Sequence, residues 1–432
     1  MTNKYLTKKT LLTAAVLSAF TLQTAFAATV ELNLDKAVHM ALVNNSDVKI
    51  SHAELSNAKA GKDQAKGSRW GSITASSTNS RGGYYNPIGT QEGPSGTFKN
   101  GFTLAFPLYS GGAISGAIDK ASKNYVYYQY GMDASYQEAK LSATTGYYSV
   151  LEAANTVALD KESVQQLADH LKNTQAQFNV GVVAKIDVLR SQVELANAQQ
   201  TLTKAQNAYD VAVASLNNVI GLPHSTGLSV SEGLEYKKYN NTLENCITYA
   251  MTNRPEIHQA EASVAMAKAA QKVANAGNMP SVDATAATGW ANTSWPATKN
   301  DNWAVGLTLS LNVWDYGVTA AKVAAAKADV VKAEETYRQT TDSVQLAVRT
   351  YYLSLREAEK RINTTSLAIS EAEEAYKIAL VRYQAGVGTN TDVIDAQVAL
   401  TTAKNNYIQA LYDYNTSHAQ LEKAMGVPVV VN

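Results

Sequence analysis

Two hydrophobic periods run along this chain, and each predicts a different element. At 303–313, Trp303, Val305, Leu307, Leu309, Leu311 and Val313 alternate with Ala304, Gly306, Thr308, Ser310 and Asn312. Period two with one greasy and one small, polar face predicts a strand with lipid outside and water inside. Phe102, Leu104, Phe106 and Leu108 repeat the pattern at 98–108. Weaker strands are predicted at 72–81 (Ile73, Ala75) and 281–290 (Val282, Ala284). Each is close to the roughly 9–11 residues that a tilted membrane strand needs. Tyr84, Tyr85, Tyr109, Trp290, Trp295 and Trp314 stand at or beyond the strand ends, where an interfacial girdle of aromatics belongs. A soluble sandwich could use the same aromatics as core, but two strands per repeat are too few to build one.

Period seven governs the helices. Val188, Leu195, Leu202, Tyr209 and Leu216 are spaced by seven, with Ser191, Ala198, Ala205, Ala212 and Val219 three positions later. Val393, Leu400, Tyr407, Tyr414 and Leu421 over Ala396, Ala403, Ala410, Ser417 and Ala424 repeat the arrangement. The register continues through Ala143, Val150, Val157, Val164, Leu171 and Phe178, and through Val348, Leu355, Ile362, Ile369, Tyr376 and Tyr383. Large residues alternating with Ala or Ser predict close knobs-into-holes packing of antiparallel helices. At 1.5 Å per residue the helices predicted at 112–179 and 317–384 are each about 100 Å long, a length suited to a tunnel rather than a globule.

The chain is one unit written twice. Phe178-Asn179-Val180-Gly181 matches Tyr383-Gln384-Ala385-Gly386 at an offset of 205, as do Asp187-Val188 with Asp392-Val393 and Gly221-Leu222-Pro223 with Gly426-Val427-Pro428. Near the start, Leu34, Ala41 and Asp47 match Leu243, Ala250 and Glu256 at 209, the difference falling between the two strands of each half. The predicted division is a first repeat at 28–221, a connector at 222–242 and a second repeat at 243–432. Each repeat carries helices (34–69; 243–277), two strands (72–81 and 98–108; 281–290 and 303–313), a long helix (112–179; 317–384) and a return helix (187–220; 392–425).

Composition restricts the function. Lys4, Lys8 and Lys9, an apolar run from Leu11 to Leu22, and Ala25-Phe26-Ala27 mark 1–27 as a cleaved secretory signal. Without it, 34 basic face 37 acidic residues, so nothing attracts nucleic acid. The single cysteine, Cys246, excludes an intrachain disulfide and is read as a small buried apolar residue. No later apolar run approaches the ~20 residues of a spanning helix, so a membrane could be crossed only by a closed β-barrel. Four strands cannot close one, because small membrane barrels begin at about eight. Copies of the chain must share the barrel.

With these features the chain resembles the TolC-like family of outer membrane efflux proteins over nearly its whole mature length. The resemblance rests on the duplicated plan and on the turn motifs Gln177 to Val188 and Arg382 to Ala396, each an aromatic, Gly three residues on, then Asp-Val. It implies an α+β membrane protein: a homotrimer with twelve strands in one outer-membrane β-barrel, continued by a periplasmic α-helical barrel of antiparallel coiled coils. It also implies a periplasmic adaptor protein and an inner-membrane transporter as partners, with drugs, metals or polypeptides passing chemically unchanged. The turns Gly181-Val182 and Gly386-Val387 would form the adaptor-docking tips. Asp392 and Asp395 would ring the pore constriction, favouring cations. Asp187 and Tyr383 would belong to a latch closing the tip, whose arginine falls at Gly388; Lys185 or Arg382 are candidates to replace it.

The residues alone permit plainer roles. Gly181 and Gly386 suit helix ends, Asp187 and Asp392 suit helix N-caps, and Asp395 suits the positive helix terminus. The six histidines (39, 52, 170, 224, 258, 418) share no metal-ligand spacing and are expected at surfaces or interfaces. Ser110-Gly111-Gly112 lacks the lysine of a phosphate loop and is expected to bend strand into helix. No catalytic set, metal site or cofactor is predicted. The competing function is an outer-membrane tether or adhesin using the coiled coil as a spacer.

Overall fold

A computed structural model describes residues 30–83, 95–230, 233–293, 295 and 300–429. The predicted signal segment, Tyr84 and Tyr85 lie outside them. The first half runs β1 (Val30–Leu32), α1 (Leu34–Asn44), α2 (Ser46–Gly67), β2 (Ser72–Gly82), β3 (Ser95–Tyr109), α3 (Ala113–Asn179) and α4 (Lys185–Ile220). After β4 (Leu228–Val230) the order returns as α5 (Leu243–Asn253), α6 (Pro255–Asn275), β5 (Ser281–Asn292), β6 (Asp301–Ser310), α7 (Val318–Gln384) and α8 (Asn390–Met425). The long helices α3 and α7 have 67 residues each, the return helices 36.

The strands form one antiparallel sheet in the order β2-β3-β5-β6, so the two halves meet at β3 and β5. Its outer strands, β2 and β6, have no further strand beside them among the described residues. Trp303, Val305, Leu307 and Leu309 stand exposed on β6. Several strand ends differ from expectation. β3 is longer at both ends, and β6 stops at Ser310, leaving Leu311 and Val313 beyond the ladder. Ser310 pairs with Ser281, and the preceding Pro280 has no N–H with which to extend the pairing.

Duplication is visible in the core. Ala41, Ala143, Val150 and Leu216 pack in one cluster, and Ala250, Val348, Leu355 and Leu421 occupy the equivalent places in a second. Here the short helices α1 and α5 lie across the long pairs α3/α4 and α7/α8. Cys246 belongs to the second cluster, 1% exposed, as the reading of a small apolar residue requires. The parallel pair β1 and β4, Val30 opposite Leu228, ties the connector to the start of the described chain. Three residues per strand are too few to show a period.

The coiled-coil register holds along α8, where Val393, Leu400, Ala403, Ala410, Tyr414, Leu421 and Ala424 are buried. On lower α3 it is incomplete. Val157, Val164, Leu171 and Phe178 are only half-buried, while Asp160, Ser163, Leu167, His170 and Thr174 are fully buried. Their spacing of three and four makes a second seam, and it bonds the other half of the chain. Ser163 lies 3.5 Å from Thr401, and Thr174 3.2 Å from Tyr383.

Candidate functional site

Both hairpin tips are built by the same backbone device. Gly181 (φ 79°) and Gly386 (φ 77°) take the left-handed conformation in which a side chain is strained. Gly181 N–H donates to the carbonyl of Phe178 and Val182 N–H to that of Gln177, both at 2.9 Å. Gly386 and Val387 repeat this on Tyr383 and Arg382 at 3.0 Å. These paired bonds are the Schellman closure of a helix end, and they leave Val182 and Val387 69% and 66% exposed. Val180, Ile186, Leu189 and Val193 extend the exposed apolar surface up the first hairpin.

The aspartates are not the N-caps. Ala184 caps α4 and Thr389 caps α8, because each helix starts a turn earlier than the Asp-Val motif suggests. Asp187 and Asp392 therefore sit third in their helices. For Asp392 this completes a capping box: Asp392 N–H donates to Thr389 Oγ1 at 3.1 Å, and Thr389 N–H donates to the Asp392 carboxylate at 3.0 Å. The Thr389 backbone N–H and the Thr389 hydroxyl beside the carboxyl, helped by Arg382, hold Asp392 below the usual carboxylate range. Asp395 lies one turn further and is exposed like Asp392, on the opposite side of α8 from the buried Val393 and Gln397.

Tyr383 and Asp187 both reach across the two hairpins, but not to each other. Tyr383 is 6% exposed and its hydroxyl donates to Thr174 Oγ1 at 3.2 Å. Thr174 in turn donates to the carbonyl of His170 at 3.0 Å. Asp187 takes part through its backbone carbonyl, which accepts from Asn390 Nδ2 at 3.0 Å. Asn390 is 2% exposed and also accepts from His170 Nε2 at 2.6 Å, with Ser191 Oγ 3.3 Å away. One buried polar knot thus joins α3 and α4 to α7 and α8.

No side chain is available at Gly388, and the space is small: a Cβ there would lie 3.0 Å from Tyr383 N and 3.1 Å from Arg382 Cβ. Neither Lys185 nor Arg382 bridges the hairpins among the described residues, since Arg382 turns back to the carbonyl of its own Val387. Beside the turns the hairpins are bridged by Arg190, whose guanidinium donates to Thr391 Oγ1 at 2.8 Å. Arg190, His170 and Asn390 carried no motif in the sequence. The only signal available was the burial of the second α3 seam, which polar residues conceal. His170, expected at a surface or interface, is 5% exposed and lies where α3 meets α8. Burial lowers its pKa, and the bond to Asn390 opposes that in smaller measure.

Among the described residues no cluster of His, Cys, Asp and Glu could hold a metal, and no helix is long and apolar enough to cross a membrane. The tip instead joins the two hairpins through the bonds of Tyr383, His170 and Asn390 together with that of Arg190, and it presents carboxylates and valines outward.

Comparison with known proteins agrees with this architecture. The model of the outer membrane efflux protein family matches twice, over residues 37–222 and 247–427. Outer membrane protein TolC of Escherichia coli (strain K12) is 26% identical over 313 residues, 68% of this chain and 63% of TolC. The chain therefore spans less than two thirds of that relative. The toluene efflux pump outer membrane protein TtgC of Pseudomonas putida is 22% identical over 406 residues, covering 91% of this chain and 82% of TtgC. The CmeC outer membrane channel of Campylobacter jejuni superposes with a TM-score of 0.82 at 18% identity, over 91% of this chain and 85% of CmeC. The protein is an outer membrane protein with a four-stranded β-sheet and long helical hairpins, and it belongs to the outer membrane efflux protein family.

Proposed function

We propose that the protein is a passive export duct for efflux or secretion, in which three copies share one twelve-stranded barrel and one periplasmic helical tunnel. The observation that carries this reading is the sheet. Four strands with an open edge on either side, β2 and β6, need partners in lipid, where unpaired backbone groups are not tolerated. The same chain continues into two helical hairpins about 100 Å long, returning at glycine turns. Repetition about a threefold axis closes the sheet and bundles twelve helices below it.

At the tip, Asp392 and Asp395 from three copies place six carboxylates around the axis as the pore constriction. Such a ring concentrates cations and binds a multivalent one most strongly. Tyr383 and the backbone of Asp187 hold the hairpins together as the latch. The exposed Val182 and Val387 at Gly181 and Gly386 offer an apolar surface to a periplasmic adaptor, which would connect the duct to an inner-membrane transporter. The likeness to TtgC, an outer membrane protein of a toluene efflux pump, supports this setting. Cargo would pass without covalent change.

Bilayer recording tests the reading. A duct conducts, and a multivalent cation blocks it through Asp392 and Asp395; an outer-membrane tether or adhesin of the same shape carries no current.

A further inference from the structure

The tip buries an imidazole for which a simple duct has no need. We propose that His170 and Asn390 form a neutral tie that positions the two hairpins and is released by protonation of the histidine, so that acid loosens the tip. The proposal rests on the duct reading above.

Geometry settles which atom donates. The Asp187 carbonyl can only accept, so the side-chain nitrogen of Asn390 points to it and Oδ1 faces His170. His170 Nε2 therefore carries the hydrogen of the 2.6 Å bond, and Nδ1 carries a lone pair. Nδ1 is buried and has no hydrogen-bond partner among the described residues. In the neutral ring this leaves one unfilled acceptor and no charge. Protonation places an N–H where no acceptor stands and a charge where water is excluded.

No carboxylate is placed to compensate. Titratable and charged residues on the surrounding turns are Asp169 and Lys172 on α3, Lys185, Asp187 and Arg190 on α4, Tyr376, Lys377, Arg382 and Tyr383 on α7, and Asp392 and Asp395 on α8. Tyr383 meets the imidazole ring to ring, with centroids 5.3 Å apart. Asp187 offers its backbone carbonyl to Asn390, Asp392 closes its own capping box, and Arg190 is bound to Thr391. His170 forms no ion pair among the described residues.

The sign follows from burial. In the knot the histidine pKa lies below its ordinary value of 6.5; released into water it returns there. The released state binds more protons between the two values, so the tie is fully present above the ordinary value and is lost progressively as pH falls from there to the lowered one. Buried neutral bonds are screened little by salt, unlike an exposed ion pair, so the tie should persist at high ionic strength.

The test is single-channel recording of purified trimers from pH 8 to 5, at low and high salt, for wild type, His170→Gln and Asn390→Leu. Glutamine can still donate to Asn390 but does not titrate in this range. The expected result is a wild-type open probability that rises with acid, by up to about tenfold per pH unit for each coupled histidine. His170→Gln should be flat and closed, and Asn390→Leu open throughout, all little changed by salt. A conducting wild type with no pH dependence, or a His170→Gln channel that keeps the wild-type profile, would overturn the proposal alone. Well-folded trimers of all three proteins that carry no current at any pH would remove the duct reading, and the tie with it.

Discussion

Thr174 and Tyr383 allow the strength of the tip closure to be worked out bond by bond. Tyr383→Phe removes a hydroxyl that donates to Thr174 over 3.2 Å. Thr174 keeps its own bond to the His170 carbonyl, so no buried donor is stranded. The cost should be that of one ordinary hydrogen bond, about 1 kcal/mol. Thr174→Val is worse, although valine has nearly the same shape as threonine. It removes the acceptor of Tyr383 and leaves that hydroxyl, on a residue 6% exposed, buried without a partner. An unsatisfied buried polar group costs about 1–3 kcal/mol in addition to any bond lost. About 1 kcal/mol moves an equilibrium roughly fivefold, and if three protomers open together the factors multiply to about a hundredfold. Open probability in bilayer recordings should therefore increase from wild type to Tyr383→Phe to Thr174→Val. The double mutant should fall short of the sum, because the two changes share a partner. A Thr174→Val channel indistinguishable from wild type would refute the reasoning, as would a Tyr383→Phe channel more open than Thr174→Val.

Other consequences are equally concrete. Leu421→Ala, at a side chain with no exposure, should destabilise the helical midsection by about 2–5 kcal/mol, read as a lower melting temperature by circular dichroism. Leu307→Arg on the greasy face of β6 should impair insertion into lipid vesicles, at a cost of about 2–4 kcal/mol near the bilayer midplane, whereas Thr308→Lys on the other face should be tolerated. Asp392 has its pKa lowered in the folded tip, so its ionised form stabilises the first turn of α8 above the ordinary carboxylate value and that contribution is lost as pH falls through the lowered one. Block by a trivalent cation should consequently survive acidification to about pH 4, and Thr389→Ala, which removes half the capping box, should raise the Asp392 pKa measured by NMR titration.

What could be read in the sequence depended on whether burial and hydropathy agree. On α8 they do: Val393, Leu400 and Leu421 are apolar at every second helical turn, and the structure buries them. On β6 the alternation from Trp303 to Leu309 marks the strand that forms, while both of its faces stand exposed in the single chain. Lower α3 breaks the correspondence, because its buried seam is written as Asp160, Ser163, His170 and Thr174. A hydropathy period cannot show a face whose burial is made tolerable by hydrogen bonds to another helix. Asn390 was hidden for the same reason, standing in a turn where a polar residue reads as exposed. The helix starts at Lys185 and Asn390 were misplaced because aspartate is as common inside the first turn as before it, so Asp187 and Asp392 looked like caps. Arg190 shows a further limit: its partner Thr391 is 201 residues away, and no local pattern joins them.

The central claim is that copies of this chain enclose a continuous aqueous path closed at a carboxylate ring. Single-channel conductance of the purified mature protein in a planar bilayer tests it most directly, with wild type beside the Asp392→Ala/Asp395→Ala double mutant, each with and without a trivalent cation. The account predicts small openings in wild type that the cation blocks, and openings in the double mutant that it does not. Well-folded trimers that insert into the bilayer and pass no current in either form would contradict it and favour a tether.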